Sequence, residues 1–311
     1  MSFAATLITD PARPILTSTL AEAAAAALPA PQLRVLAEGI AVDLLFDPGD
    51  LEDPNVAPLG EDILIHDYRN AIIDRLDGAP VDVVVQPQAH RRKKLLLADM
   101  DSTMIRQECI DELADYVGLK AEVSAITERA MRGELPFEPA LRERVALLKG
   151  LSLSTIDEIV EKRLTLMPGG RALIGTMRRN GAYCALVSGG FTVFTSAIAG
   201  MLGFDEHRAN RLIIADEALS GTVEEPIVGR EAKYATLIEL REKHGLLVEE
   251  TLAVGDGAND LAMLGEAGLG VAFHAKPAVA EAAAARIDHG DLTALLYLQG
   301  YSGEEFARPA N

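Results

Sequence analysis

The sequence predicts an α/β protein: a doubly wound parallel sheet carrying a helical cap insertion, preceded by a small α+β module. Three observations lead there. Short apolar runs at Leu95–Ala98, Tyr183–Val187, Leu252–Val254 and Leu269–Phe273 alternate with helical patterns, as buried parallel strands alternate with their crossover helices. The stretch 107–163 is rich in Glu, Ala, Leu and Arg with helical periodicity, and is too long for a simple crossover. Residues 1–88 hold 14 acidic and 4 basic side chains, a net of −10 out of the chain's −18, which marks them as a separate unit. A chain of 311 residues has room for about two domains at roughly 100–200 residues each.

In chain order, the apolar periodicity reads as a strand (Phe3–Thr9), a helix (Pro14–Leu28), two strands (Leu33–Glu38 and Ala41–Phe46), a helix (Asp62–Leu76) and a strand (Val81–Val85). Gly39 supplies the turn between the middle strands, and Pro80 stops the second helix. The order β-α-β-β-α-β is that of a ferredoxin-like module, and it is topologically similar to the amino-acid-binding ACT domains. No ligand motif accompanies it, so effector binding, homodimerisation and plain packing are all open roles for residues 1–88. The polar stretch Gln86–Lys94 reads as a connection, with the linker at 89–94. Its four consecutive cations, Arg91–Lys94, are expected to form a solvated edge. The second domain is expected over 95–303, with the cap at about 107–163. Arg211–Ile214 and Leu219–Glu224 read as a hairpin at the sheet's margin, and Arg230–Arg241 as a helix.

Composition narrows the function. With 47 acidic residues against 29 Lys and Arg, the chain repels nucleic acid and anionic membrane, which argues against either as a partner. An anionic substrate would need a local reversal of field. No charge-free run of about 18 apolar residues exists. The apolar Ala23–Leu28 lacks the basic flank of a signal peptide, because Asp10 precedes the first basic residue, Arg13. Cys109 and Cys184 sit in no CxxC pair, and are expected as buried thiols in a reducing cytoplasm.

Ligands of such sheets bind beyond the carboxyl ends of the strands, and there the sequence is dense with chemistry. The first strand ends in Asp99-Met100-Asp101-Ser102-Thr103, the second in Ser188-Gly189-Gly190, and a later one in Gly255-Asp256-Gly257-Ala258-Asn259-Asp260. Lys233 lies near the start of the helix between the last two. Asp99 and Asp101, one residue apart, project from one face of a regular strand. With Asp256 and Asp260 they would raise one another's pKa unless a cation joined them. A hard divalent ion with oxygen ligands answers this, and Mg²⁺ suits a site of few carboxylates plus phosphate oxygens. A hydroxyl (Ser188), small-residue amides (Gly189, Gly190) and one lysine make a phosphate receptor. Asp99 can attack phosphorus as a nucleophile, and Asp101 can protonate the leaving oxygen and later take a proton from water. A lone DxD or SGG is common in ordinary turns; the ordered set at successive strand ends is not.

These residues resemble the haloacid dehalogenase superfamily of phosphotransferases over about 94–300, and within it the phosphoserine phosphatase family most closely. The resemblance implies that Asp99 is the nucleophile and Asp101 the proton donor and acceptor. It implies that Mg²⁺ is held by Asp99, the backbone carbonyl of Asp101 and Asp256, with Asp260 supporting that ring. It also implies that Ser188, Gly189, Lys233 and Asn259 bind or position the phosphate. For the substrate, Glu108 would meet an ammonium group and Arg144 a carboxylate, the forked guanidinium suiting a bidentate grip; Arg142 is a rival to Arg144. The expected activity is hydrolysis of O-phosphoserine to serine and phosphate, the last step of serine synthesis. Another small monoester, such as phosphohomoserine or phosphothreonine, is the alternative.

Overall fold

The computed structural model describes residues 2–48, 60–131 and 134–308. The N-terminal module runs β1 (Phe3–Ile8), α1 (Ser18–Ala25), β2 (Gln32–Ala37), β3 (Ala41–Phe46), α2 (Glu61–Arg75) and β4 (Asp82–Pro87). Its sheet has the order β2-β3-β1-β4 with every neighbouring pair antiparallel. Alternation along the strands gives it two apolar faces. Phe3, Ala5 and Leu7, with Val42, Leu44, Val83 and Val85, pack on Ala24 and Ile72 of the two helices. Ile8, Ala41 and Val84, from the opposite face, join the core of the second domain. That face is therefore covered within the chain. Helix α1 starts four residues later than the periodicity suggests. Leu16 is drawn into a bridge with Gly39, and the Thr17 hydroxyl caps the helix by accepting from the Leu20 N–H.

The segment joining the domains corrects one expectation. Arg91 to Lys94 is not a solvated edge, because alternate side chains turn inward. Arg91 and Lys93 are only 8% and 7% exposed. The Arg91 guanidinium donates two bonds of 2.9 Å to the Asp43 carboxylate, and others to Thr6 Oγ1 and to the Leu298 and Tyr297 carbonyls. Lys93 Nζ donates to the Glu249 carbonyl at 2.7 Å. Arg92 and Lys94 stay outside and pair with Glu305 and Glu250. The physical reason is that the N-terminal module and the second sheet close over this segment. Its inward cations must then find acceptors from both sides.

The second domain is built on β5 (Leu95–Ala98), β6 (Tyr183–Phe191), β7 (Glu206–Asn210), β10 (Thr251–Gly255), β11 (Leu269–Phe273) and β12 (Ala285–Ile287). They form one six-stranded sheet, β12-β11-β10-β5-β6-β7, parallel throughout. The central strands β5 and β10 are wholly buried, β5 as an unbroken apolar run and β10 apolar after Thr251. Edge strands β7 (EHRAN) and β12 (ARI) carry no such run, which is why periodicity passes over them. Between β5 and β6 lie α3 (Cys109–Tyr116), α4 (Lys120–Met131), α5 (Phe137–Leu147) and α6 (Leu153–Lys162), then α7 (Gly170–Arg179) on the sheet. The ends of this helical insertion are tied at its base: Gln107 Nε2 donates to the Arg163 carbonyl, and its Oε1 accepts from the Thr165 N–H.

The hairpin β8 (Leu212–Ala215) and β9 (Ala218–Val223) is a second correction. It forms its own two-stranded sheet instead of extending the large one. Gly150 and Leu153 donate to the Leu219 and Glu217 carbonyls, and Leu219 donates to Leu151, so the hairpin belongs to the helical insertion. The remaining helices are α8 (Thr192–Leu202), α9 (Arg230–Lys243), α10 (Leu261–Glu266), α11 (Pro277–Ala282) and α12 (Ala294–Leu298). Among the described residues, no helix is long and apolar enough to cross a membrane.

Candidate active site

The carboxyl ends of β5, β6 and β10 open onto one cavity of about 270 Å³ roofed by the helical insertion. Parallel pairing of β5 with both neighbours brings the three motifs to a common edge, although they lie far apart in sequence. Asp99 follows β5 immediately, is 5% exposed, and accepts from the Met100 N–H and from Lys233 Nζ, each through Oδ1. Lys233 is wholly buried on α9 and reaches Asp99 at 2.7 Å and Asp260 at 2.6 Å. The second oxygen of Asp260 accepts from the Gly257 N–H, so this carboxylate braces both the lysine and the β10 loop. That fold-back explains the glycine at 255, where a Cβ would lie 2.4 Å from the Asp260 carboxyl carbon.

Asp101 stands at the cavity wall with Oδ1 accepting from the Cys109 N–H at 3.1 Å. Gly190 faces it so closely that a Cβ there would sit 2.8 Å from Asp101 Oδ2. The Gly190 N–H donates to Ser188 Oγ, which leaves the hydroxyl hydrogen of this buried serine free to donate to a ligand. Glu108 sits at the N-cap of α3 without capping it and accepts instead from the Ser102 hydroxyl at 2.7 Å. Ser102 makes this possible with a left-handed backbone, φ 57°.

The electrostatics of the site are short of positive charge. Asp99, Asp256 and Asp260 each offer an oxygen within 4.8 Å of the others, with one ammonium among them. Burial and then the Asp260 charge push the Asp99 carboxyl well above its usual range, despite Lys233. Burial followed by repulsion from Asp260 and Glu108 lifts Asp256 to about 7. Asp101 also rises to about 7, through the protein packed around it and then the Glu108 charge. For Lys233, burial works against the ammonium, but Asp260 and Asp99 outweigh it and hold its pKa above the ordinary value. An all-oxygen, carboxylate-rich donor set of this kind fits a hard divalent cation such as Mg²⁺.

On the roof, Arg144 and Arg142 part company. Arg144 points into the cavity, 7% exposed, with Nε donating to the Ala140 carbonyl and Nη1 to Thr127 Oγ1. Arg142 lies on the outside, paired with Glu138 and Glu225. Asn259, Ser188 and Gly189 also line the cavity, together with Asp101, Glu108 and Asp256. Sequence reasoning missed Thr127, which orients Arg144, and Phe137, which lines the roof. It also missed Arg230, an exposed residue at the cavity three positions before Lys233. The i, i+3 spacing of Arg230 and Lys233 on one helix face was the available signal; nothing local marks the other two.

Comparison with known proteins identifies the family. Residues 96–265 match the profile of the haloacid dehalogenase-like hydrolases, and the chain belongs to that family. Two similar relatives carry a more specific name. The phosphoserine phosphatase of Polaromonas sp. is 49% identical over 210 residues, which cover 66% of this chain and 89% of the relative. The phosphoserine phosphatase SerB2 of Mycobacterium tuberculosis is 46% identical over 227 residues, 72% of this chain but only 55% of that protein. A haloacid dehalogenase family hydrolase from Salmonella enterica serovar Typhi superposes with a TM-score of 0.80 at 27% identity, covering 96% of this chain and 98% of that one.

Proposed function

We propose that this chain is a magnesium-dependent phosphoserine phosphatase. The observation that carries the reading is the two-ended cavity. Its floor holds Asp99, Ser188 and the Gly190 backbone, and its roof and wall hold Arg144 and Glu108. A phosphate, a carboxylate and an ammonium therefore each have a complementary partner, and the names of the relatives point the same way. Asp99, the backbone carbonyl of Asp101 and Asp256 would hold Mg²⁺, which supplies positive charge to the phosphate oxygens.

In this mechanism Asp99 attacks the phosphorus in line, and the bond from phosphorus to the seryl oxygen breaks. Asp101, whose raised pKa keeps much of it protonated near neutrality, donates its proton to that oxygen. The resulting Asp101 carboxylate then takes a proton from water, which attacks the phosphate on Asp99 and returns that side chain to its starting state. Ser188 and Lys233 hold the phosphate oxygens while their charge redistributes. Two buried, unpaired cysteines suit a cytoplasmic setting.

The test is phosphate release from O-phosphoserine, phosphothreonine and phosphoethanolamine, with added Mg²⁺ or with chelator. Phosphoserine should give the highest kcat/KM, and chelator should stop release from all three. Equal rates on phosphoserine and phosphoethanolamine would sink the substrate assignment, and turnover that ignores chelator would sink the metal.

A further inference from the structure

Strands β6 and β7 pair in register from Ala185↔Glu206 to Val187↔Arg208, lose the register, and meet again at Phe191↔Asn210. Three residues, Ser188 to Gly190, thus stand opposite the single Ala209, because the backbone swings out toward the cavity. A bulged segment of this kind loses ladder bonds and needs another partner for its polar groups. Asn210 supplies one. Its carboxamide is 1% exposed, and Nδ2 donates to the Gly189 carbonyl at 2.8 Å.

The same carboxamide holds a second loop. Nδ2 also donates to the Val228 carbonyl at 3.1 Å, and Oδ1 accepts from the Val228 N–H at 2.7 Å. Val228 precedes Gly229, whose carbonyl accepts from the Lys233 N–H in the first turn of α9. One buried amide therefore fixes the peptide that presents the Gly190 N–H to Ser188 Oγ and also anchors the helix that carries Lys233. We propose that Asn210 is a positioning residue for the phosphate end of the cavity: it locks the spacing between the Ser188 hydroxyl and the Lys233 ammonium without touching the ligand.

The inference rests on the phosphatase reading above, and its test separates the two ends of the site. Asn210→Asp keeps the size and the acceptor for Val228 but turns a carboxylate oxygen toward two carbonyls. Dissociation constants for inorganic phosphate and for free serine are measured on the magnesium-loaded enzyme by titration calorimetry, beside the melting temperature. Phosphate affinity should fall at least tenfold while serine affinity stays within twofold, since Arg144 and Glu108 are untouched. Unchanged phosphate affinity overturns the proposal. So does an equal loss for both ligands in step with a lower melting temperature, which would mark Asn210 as a general fold residue. Asn210→Ser, which keeps one small donor, gives the same comparison if the aspartate variant does not fold. Wild-type protein that binds phosphate but not serine would refute the substrate reading, and the phosphate measurement would still decide the role of Asn210.

Discussion

Replacing Arg144 with alanine tests how the cavity distinguishes its substrate. The guanidinium has five N–H donors, of which one is committed to the Ala140 carbonyl and one to Thr127 Oγ1. The others remain for the cavity, enough for a bidentate grip on a carboxylate. Each charge-assisted bond contributes about 1.5–3 kcal/mol. Allowing for the desolvation of both partners, loss of the pair should cost about 3–4 kcal/mol of transition-state binding. That corresponds to a drop of roughly 10²–10³ in kcat/KM. The variant should still fold, because the Thr127 hydroxyl, though it loses the Arg144 donor, still donates to the Val123 carbonyl. Phosphoethanolamine lacks the carboxylate, so its kcat/KM should change less than about threefold. Phosphate release from both esters, measured side by side on wild type, Arg144→Ala and Arg144→Lys, decides the matter. A parallel fall on both substrates would show that Arg144 shapes the roof and reads no carboxylate. Arg142→Ala is the control and should leave both substrates unchanged, since Arg142 pairs outside the cavity.

Three further outcomes are expected. Asp101→Asn should slow phosphate release by on the order of 10²–10⁴, the usual share of general acid–base catalysis, and a near-normal rate would reassign the proton donor. Asp43→Ala leaves the Arg91 guanidinium buried without its carboxylate, which should cost about 3–5 kcal/mol. A denaturation midpoint that does not move would mean the domains part before this pair matters, and Asp43→Leu with Arg91→Met should recover much of the loss. Burial lowers the Lys93 pKa from its ordinary 10.5 to about 8, in spite of Glu249. Between pH 8 and 10.5 the unfolded chain therefore binds more protons at this site than the folded one, so its contribution to stability rises with pH. The gain is at most about 3 kcal/mol. The unfolding free energy of wild type relative to that of Lys93→Met should rise across that window, and a flat profile would count against a buried, strained ammonium.

How much of the molecule was legible in the chain depended on how local its cause is. Apolar runs such as Leu95–Ala98 declare buried parallel strands, because such strands are shielded on both faces. The motifs after them, from Asp99, Ser188 and Asp256 onward, belong to one edge on sequence grounds alone, since parallel strands all end on the same side. Edge strands β7 and β12 escaped because a strand covered on one side needs no apolar run. The hairpin at 212–223 was legible as a hairpin, but its place was not: it contacts residues 150–153, and nothing in either segment announces the other.

What the sequence determined by itself was periodicity and local chemistry: the class of fold, the family, and the side chains able to hold a cation and a phosphoryl group. What only the tertiary structure decided was partnership. It chose Arg144 over Arg142 by turning one into the cavity and the other toward Glu138 and Glu225. It converted Arg91 and Lys93 from solvated charges into buried ones, and it joined Asn210 to two loops 21 and 18 residues away. The reason is physical: a backbone period is set by near neighbours along the chain. The partner of a buried polar group is set by whichever distant segment the packing brings within about 3 Å.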